Sequence, residues 1–225
     1  MKTLLTCLIL TIATTTCFSQ NNAFFGIKTG ATLSNFRGNS EADQNNLGLD
    51  YLFGVSGEFP LNEKLSLLIN LNYHRKSATR KLKGYQLGIY NYNDGSFSNE
   101  NIKVKSTILY LSIPIVLKYK FGEEKSYFIN GGGFIDFLNN TEAKIDGEKV
   151  EDNSRQLFQS IDFGTVLGIG KSFKSPNGNQ LTLELRNQLG LINISRIEAS
   201  KVLTNSWIFS MEYQFKIKAK EVSKN

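Results

Sequence analysis

One stretch of the chain, from Leu109 to Phe121, alternates apolar and polar positions. Its odd-numbered positions are all apolar, namely Leu109, Leu111, Ile113, Ile115, Leu117, Tyr119 and Phe121. Successive side chains of a β-strand point to opposite faces, so these residues share one oily face. The run is longer than the ~5–6 residues usual in soluble sheets. It matches the ~9–11 residues that a tilted strand needs to cross a bilayer.

The same alternation predicts eight strands along the chain. The first two lie at about 23–36 and 47–60, and the third runs from 65 into the basic segment 74–83. The fourth is 109–121, with an N-terminal extension at 102–108. The last four lie at 126–138, 161–170, 181–189 and 207–215. Two features predict local irregularity. The run Gly131–Gly133 predicts a bend or bulge in the fifth strand, and Pro114, which has no N–H donor, predicts a bulge or weakened pairing in the fourth.

The connections between these strands alternate in length. Long loops are predicted at 37–46, 84–101, 139–156 and 193–204, and short turns at 61–64, 122–125 and 174–179. Barrels of bacterial outer membranes have an even number of antiparallel strands, with short turns on the periplasmic side and longer loops outside. Closure of the ring also removes the sheet edges that lipid cannot satisfy. The pattern predicts an all-β fold, an eight-stranded antiparallel up-and-down transmembrane β-barrel.

The polar positions decide which face of the barrel is inside. Charged residues recur there, namely Lys28, Asp50, Glu58, His74, Lys118, Lys120, Asp136, Asp162, Glu184, Arg186 and Glu212. A soluble lipocalin-like barrel is the alternative, and it would have to pack Trp207, Phe209 and Tyr213 inside. The lumen of an eight-stranded barrel holds only side chains or one small ligand. We therefore predict charged and small residues inside, with bulky apolar residues outside.

The first residues predict a secretory signal peptide at 1–19. An uncharged run from Leu4 to Phe18 follows a positively charged start, and small residues favour cleavage after Ser19. A lipoprotein signal at Cys17 is the alternative. Because the two cysteines, Cys7 and Cys17, both lie in this leader, no disulfide is predicted for the mature chain.

Composition agrees with a barrel that is a single domain at 20–217, followed by a polar tail at 218–225. A mean hydropathy of -0.23 excludes a helical membrane protein, whereas aromatic residues reach 12%. Only alternate residues of a barrel strand face lipid, which explains this combination. The formal net charge of +6 favours anionic lipid over nucleic acid as a partner.

Two segments carry a resemblance to a known family. They are Leu111-Ser112-Ile113-Pro114 running into Leu117-Lys118-Tyr119-Lys120-Phe121, and the N-terminal Phe25-Gly26-Ile27-Lys28-Thr29-Gly30. With the leader, they resemble the PorT-like outer-membrane β-barrel family of Gram-negative bacteria, over essentially the whole mature chain. The resemblance implies an eight-stranded barrel in the outer membrane, and the family's namesake is linked to protein secretion. The chain departs from the family pattern at Asn70, Asn72 and Ser77.

The sequence shows no catalytic constellation, and we expect no enzymatic activity, cofactor or metal. A histidine-based triad would need His74, the single histidine, for which an inward polar position is the better interpretation. One histidine and no mature cysteine do not suit zinc. The acidic residues of loop 139–156 match no calcium-loop spacing, so a solvated loop is expected.

Two groups of charged residues are candidate sites. Glu184, Arg186 and Glu212 predict an ion-pair network in the lumen, because a buried charge needs a partner; a proton or ion path is the alternative. A basic run at the outer end of the third strand predicts contact with lipopolysaccharide phosphates; a solvated rim is the alternative there. The residues of this run are Arg75, Lys76, Arg80 and Lys81.

The tyrosine-rich loop 84–101 predicts a recognition surface. Its contact residues are predicted to be Tyr85, Tyr90, Tyr92 and Phe97. The prediction as a whole is a barrel of the cell outer membrane with a side-chain-filled lumen and a structural or interaction role. Its partners would be outer-membrane lipids, including lipopolysaccharide, and a protein at the extracellular loops. The alternatives are an accessory component of a protein secretion system and a porin-like small-solute or ligand-binding barrel.

Overall fold

The computed structural model describes residues 23–39, 45–91, 95–151 and 154–217, which form a closed ring of antiparallel strands. The ring strands are β1 (Ala23–Gly38), β2 (Asn46–Pro60), β3 (Leu65–Lys83), β6 (Asn101–Phe121), β7 (Tyr127–Ile145), β9 (Ile161–Lys174), β10 (Gln180–Gly190) and β11 (Val202–Ile217). Each pairs with the next, and β11 pairs with β1. Three short strands lie in the connections, β4 (Tyr90–Asn91), β5 (Ser96–Phe97) and β8 (Glu148–Val150). The predicted eight-stranded up-and-down ring is confirmed. The leader at 1–19 and the tail at 218–225 lie outside the described residues and stay predictions.

The wall of the barrel is apolar outside and polar inside, as the alternation predicted. On β11, for example, Trp207, Phe209 and Met211 are exposed, whereas the intervening Ser210 and Glu212 are buried. The period of two in the strand imposes this division, since neighbouring side chains leave the sheet on opposite faces. Large apolar groups therefore cover the outside of the ring, and most of the side chains buried inside it are polar.

The two ends of the barrel differ. Short turns follow β2, β6 and β9 at one end, here called the short-turn end, and the longer connections lie at the other, the long-loop end. The helical segments are 3-10 turns at Gly84–Leu87, Glu123–Lys125 and Ser154–Leu157. No helix in the described part of the chain is long and apolar enough to span a membrane.

Three neighbouring strands are much longer than the rest of the wall requires. β3 has 19 residues, β6 has 21 and β7 has 19, whereas β10 has 11. A tilted strand crosses a bilayer in ~9–11 residues, so β3, β6 and β7 extend past the apolar band at the long-loop end. The predicted loop 139–156 was wrong in its first part, because β7 continues to Ile145 and turns through Asp146 and Gly147 into β8. Both turn residues have positive φ, 49° and 93°, as a tight hairpin turn requires.

The glycine run of β7 forms no bulge, so that part of the prediction was wrong. Gly131–Gly133 keeps one continuous register with β6 and with β9. A Cβ on Gly132 would meet the Ile115 carbonyl oxygen and lie 2.8 Å from Val116 Cα, so glycine here permits close approach of the backbones. The irregularity toward β7 lies instead at Leu109 and Tyr110.

The predicted weakening at Pro114 is confirmed, but without a bulge. β6 pairs with β3 at Ile115 and again at Ser112, in the same register, and the ladder skips the two positions between. Pro114 stays paired with Phe134 of β7 on its other side. The missing N–H therefore interrupts pairing with β3 alone.

Candidate functional site

Ion pairs line the lumen, and the most connected network contains all three residues predicted for it. Arg186 Nε donates to Glu184 Oε1 at 2.8 Å. Lys28 Nζ lies 2.7 Å from Glu184 Oε2 and 3.6 Å from Glu212 Oε2. Asn130 Nδ2 donates to Glu184 Oε1 at 2.7 Å. All four charged side chains are buried.

Lys28 joins the predicted trio into one network. Its inward position was predicted, but its partnership was not, because β1 and β11 are the two ends of the barrel sequence. Closure of the ring makes Lys28 and Glu212 direct cross-strand neighbours. The predicted closure of β11 on β1 was therefore the signal that would have found this pair.

A second cluster surrounds Lys76, which corrects its assignment to a lipid-facing basic run. Lys76 is fully buried, with Nζ 2.8 Å from Asp136 Oδ2 and 3.4 Å from Asp162 Oδ2. The Phe134 ring centroid lies 4.5 Å from the same nitrogen. His74, two residues earlier on β3, is buried in the lumen as well. The alternation of β3 thus continues into its basic segment and directs Lys76 inward.

A third cluster lies nearer the short-turn end. Glu58 of β2 accepts a hydrogen bond from Lys118 Nζ at 2.8 Å and also pairs with Lys120. The Phe128 ring centroid lies 4.3 Å from Lys118 Nζ. Every buried lumenal cation of these three clusters therefore faces a carboxylate, which is the condition for holding charge away from water.

Apolar side chains pack inside the barrel at the long-loop end. The cluster comprises Phe36, Ala78, Ile108, Tyr110, Leu138 and Ile194, with Phe158, Ile192 and Val202 packed against it. Its members come from ring strands and from the connections after β8 and β10. The cluster therefore ties two of the long connections to the inside of the barrel.

Arg75 lies in a charged network at the outer part of the wall. Its Nε donates to Asp50 Oδ1 at 2.7 Å, and its Nη2 donates to Glu142 Oε2 at 2.9 Å. Lys105 Nζ lies 2.9 Å from Asp50 Oδ2, and the Arg75 guanidinium sits 5.3 Å from the Tyr51 ring centroid. Arg75 is thus held by two carboxylates.

The other two residues of the predicted basic run lie further along β3. Lys81 is exposed and Arg80 is partly buried. The structure therefore divides the run of four, with Lys76 inside the lumen, Arg75 in ion pairs, and Arg80 and Lys81 near the end of the strand.

The predicted aromatic loop forms a small hairpin. β4 pairs with β5 through Tyr90 and Phe97, whose rings make an edge-on contact at 5.4 Å between centroids. Their exposed fractions are 41% and 56%, and that of Tyr85 is 53%. Tyr92, the fourth predicted residue, lies outside the described residues. Three of the four side chains are thus displayed together on one connection.

Within the described ranges, the acidic, histidine and cysteine side chains form no group of three or more that would hold a metal ion. The acidic residues of the predicted outer loop are dispersed by the hairpin, since Asp146 lies in its turn and Glu148 on β8. Asp152 of that loop lies outside the described residues.

A family model described as "Outer membrane protein beta-barrel domain" matches residues 18–196 of the chain. No curated protein matches the chain. Solved structures of similar architecture include Ail, the attachment invasion locus protein of Yersinia pestis, in complex with the heparin analogue sucrose octasulfate. That comparison has 12% identity, covers 87% of this chain and 100% of that one, and gives a TM-score of 0.41.

Two further solved structures are similar. Neisserial surface protein A has 15% identity, with coverage of 86% of this chain and 97% of that one and a TM-score of 0.39. OprG from Pseudomonas aeruginosa has 12% identity, with coverage of 88% and 97% and a TM-score of 0.40. At these identities the similarity concerns the fold alone.

Proposed function

Because the chain belongs to the outer membrane protein beta-barrel domain family, we propose that it is a non-enzymatic outer-membrane barrel whose rigid wall carries a recognition surface on its extracellular loops. The observation that carries the proposal is the interlocked lumen. Lys28, Lys76 and Lys118 each lie between strands, paired with carboxylates inside the ring. The interior of an eight-stranded barrel is just wide enough for side chains to fill, so we expect no continuous aqueous path through it. The exposed loops are then where this protein meets its partners.

The hairpin of β4 and β5 is the recognition surface that the geometry favours. It connects β3 to β6, which stay paired out to Lys83 and Asn101 at the long-loop end. Tyrosine and phenylalanine supply contact area with few rotatable bonds, which is why aromatic residues dominate binding hot spots. A paired hairpin also presents Tyr90 and Phe97 in a fixed relation before any partner arrives.

Two finer assignments belong to this proposal. PorT-like membership within the family is supported by the segment 111–121, which forms the part of β6 that faces the bilayer. Arg80 and Lys81, at the end of β3, stay proposed contacts for lipopolysaccharide phosphates. An accessory role in secretion would follow if the partner of the loops is a secretion component.

Site-specific photocrosslinking in the outer membrane tests the proposal. A photoreactive residue at Phe97, on the hairpin, is expected to give a discrete crosslinked protein species, whereas the same residue at Leu167, on the lipid-facing wall, is not. Purified protein in planar bilayers is expected to show no stepwise conductance. Conductance steps would favour the small-solute alternative, and equal crosslinking at both positions would remove the loop as the recognition surface.

A further inference from the structure

Two cavities adjoin on the side of the barrel formed by β7 and β9. The lower one, of about 530 Å³, is lined by Ile113, Ile135, Phe137, Ile161 and Phe163. The upper one, of about 630 Å³, is lined by Leu138, Asn140, Phe158 and Ser160, with Arg155 and Arg196. Leu138 directly follows Phe137 in the chain, and Ser160 directly precedes Ile161. The two cavities therefore lie at successive levels along β7 and β9, with Phe137 on the outer face of the wall and Leu138 in the apolar cluster at the barrel end.

The lower cavity is an apolar groove in the outer wall. Gly133 contributes no side chain at its position, between Ile115 of β6 and Thr165 of β9. The neighbouring Ile135 and Phe137 on β7 project outward and are exposed. In a barrel of this family, that face meets hydrocarbon rather than water. The groove is therefore shaped to hold a lipid acyl chain against the wall.

The upper cavity differs in chemistry because it contains two exposed arginines. Arg155 Nε donates to the Asn139 carbonyl oxygen at 3.0 Å, and Arg196 Nη2 donates to Ser160 Oγ at 3.3 Å. Each guanidinium has five N–H donors, so these bonds leave most donors of each fork for a ligand. Neither arginine is ion-paired with a carboxylate of the described residues, in contrast to Arg75.

Backbone hydrogen bonds fix the two connections that carry these arginines relative to each other. The amide of Arg196 donates to the Leu157 carbonyl at 2.8 Å, and the amide of Gln159 donates to the Ile194 carbonyl at 2.7 Å. Ile194 itself is fully buried in the apolar cluster at the end of the lumen. Preorganised side chains lose less conformational entropy when they bind. Two arginines held in this way are suited to the bidentate hydrogen bonds that phosphate oxygens accept.

We infer that the two cavities form one binding site for a phosphorylated lipid of the outer leaflet. Arg155 and Arg196 bind the phosphate, and one acyl chain lies in the groove over Gly133. The polar cavity and the apolar groove follow each other along β7 in the order in which a head group and a chain follow each other in a lipid. The inference needs only the barrel's place in the outer membrane, and it does not depend on recognition by the hairpin.

Binding of hexa-acylated lipid A to the detergent-purified barrel tests this site by native mass spectrometry. The double substitution Arg155→Gln/Arg196→Gln is expected to weaken binding at least about tenfold, because hydrogen bonds to charged groups are lost. The matched control is Lys149→Gln/Lys201→Gln, which removes the same charge from two other exposed cations of the long-loop end and should bind like the wild type. Gly133→Leu fills the groove without touching the arginines and is also expected to weaken binding.

Two comparisons separate the sources of binding. Dephosphorylated lipid A should bind weakly, and millimolar inorganic phosphate should not displace lipid A, since the groove contributes to affinity. Heat-modifiable gel migration confirms that each variant is folded. Equal binding of lipid A by the arginine variant and the wild type would overturn the inference. So would full displacement by inorganic phosphate, unchanged binding by folded Gly133→Leu, or an equal loss in the lysine control.

Discussion

Substitution of Lys28 by methionine removes the cation that joins the two carboxylates of the lumenal network. Methionine is unbranched and only one atom shorter than lysine, so little volume is lost. Glu184 retains Arg186 and Asn130, whereas Glu212 retains only the Ser56 hydroxyl among its described partners. Removing one partner of a buried ion pair typically costs about 3–5 kcal/mol. Because Glu184 stays paired, we expect a loss of free energy of unfolding near the lower value, about 3 kcal/mol.

A second substitution tests whether the loss arises from the unpaired charge. Lys28→Met/Glu212→Gln restores equal numbers of positive and negative charges in the network, and glutamine still accepts the Ser56 hydrogen bond. The double variant should therefore recover most of the stability lost in Lys28→Met. Lys125→Met is the surface control, since Lys125 pairs with Glu63 at 2.6 Å in an exposed turn. That hydrogen bond lowers the pKa of Glu63, but water screens the pair and little stability should change.

Urea unfolding of the barrel in lipid vesicles measures these free energies. Trp207, the single tryptophan, faces outward on β11 and reports the transfer of the wall from lipid to water through its fluorescence. A Lys28→Met barrel within about 0.5 kcal/mol of the wild type would refute the reasoning from a buried, unpaired carboxylate. A double variant no more stable than the single one would show that packing, and not charge, determines the loss.

Three further predictions follow from other parts of the barrel. Gly132→Ala should destabilise the barrel by about 1–3 kcal/mol in the same urea assay, as overpacked sites do. Gly133→Ala is the control, since its Cβ would lie 3.4 Å from its nearest neighbour, and its stability should be close to that of the wild type. Equal effects of the two substitutions would contradict the close approach of β6 and β7. Brominated acyl chains should quench Trp207 and aqueous iodide should not, and the reverse pattern would show that the apolar face does not meet lipid. Mass spectrometry of the purified protein should find a mature chain that begins at Gln20, and retention of Cys17 with an attached lipid would favour the lipoprotein alternative instead.

The sequence was sufficient to predict the wall of the barrel because the wall depends on local periodicity. The alternation within each strand indicates which of its residues face inward and which face outward. The alternating lengths of the connections indicate that consecutive strands are neighbours in an up-and-down barrel. The limits of β2 and β10 were accordingly close to the observed ones. The end of β7 was missed, since the charged hairpin at Asp146 has the composition of a loop, and its pairing with β8 and with the extended β6 leaves no clear local alternation.

The partners of lumenal charges were harder to predict than their direction. Lys28 and Glu184 are separated by 156 residues, and they meet through the tilt and stagger of a closed ring rather than through any local pattern. Lys76 was misassigned because a run of positive residues resembles a surface patch. Strand alternation is the stronger constraint, because one face of β3 lies inside the ring whatever its charge.

Arg155 and Arg196 illustrate a different limit, because nothing in their local sequence indicates a shared site. They belong to two connections separated by β9 and β10, and the bridge between Phe158 and Ser195 brings these connections together. The bridge is stabilised in turn by Ile194 and its apolar neighbours inside the barrel end. Packing of apolar side chains inside the barrel end therefore determines where the connections that carry these exposed arginines lie.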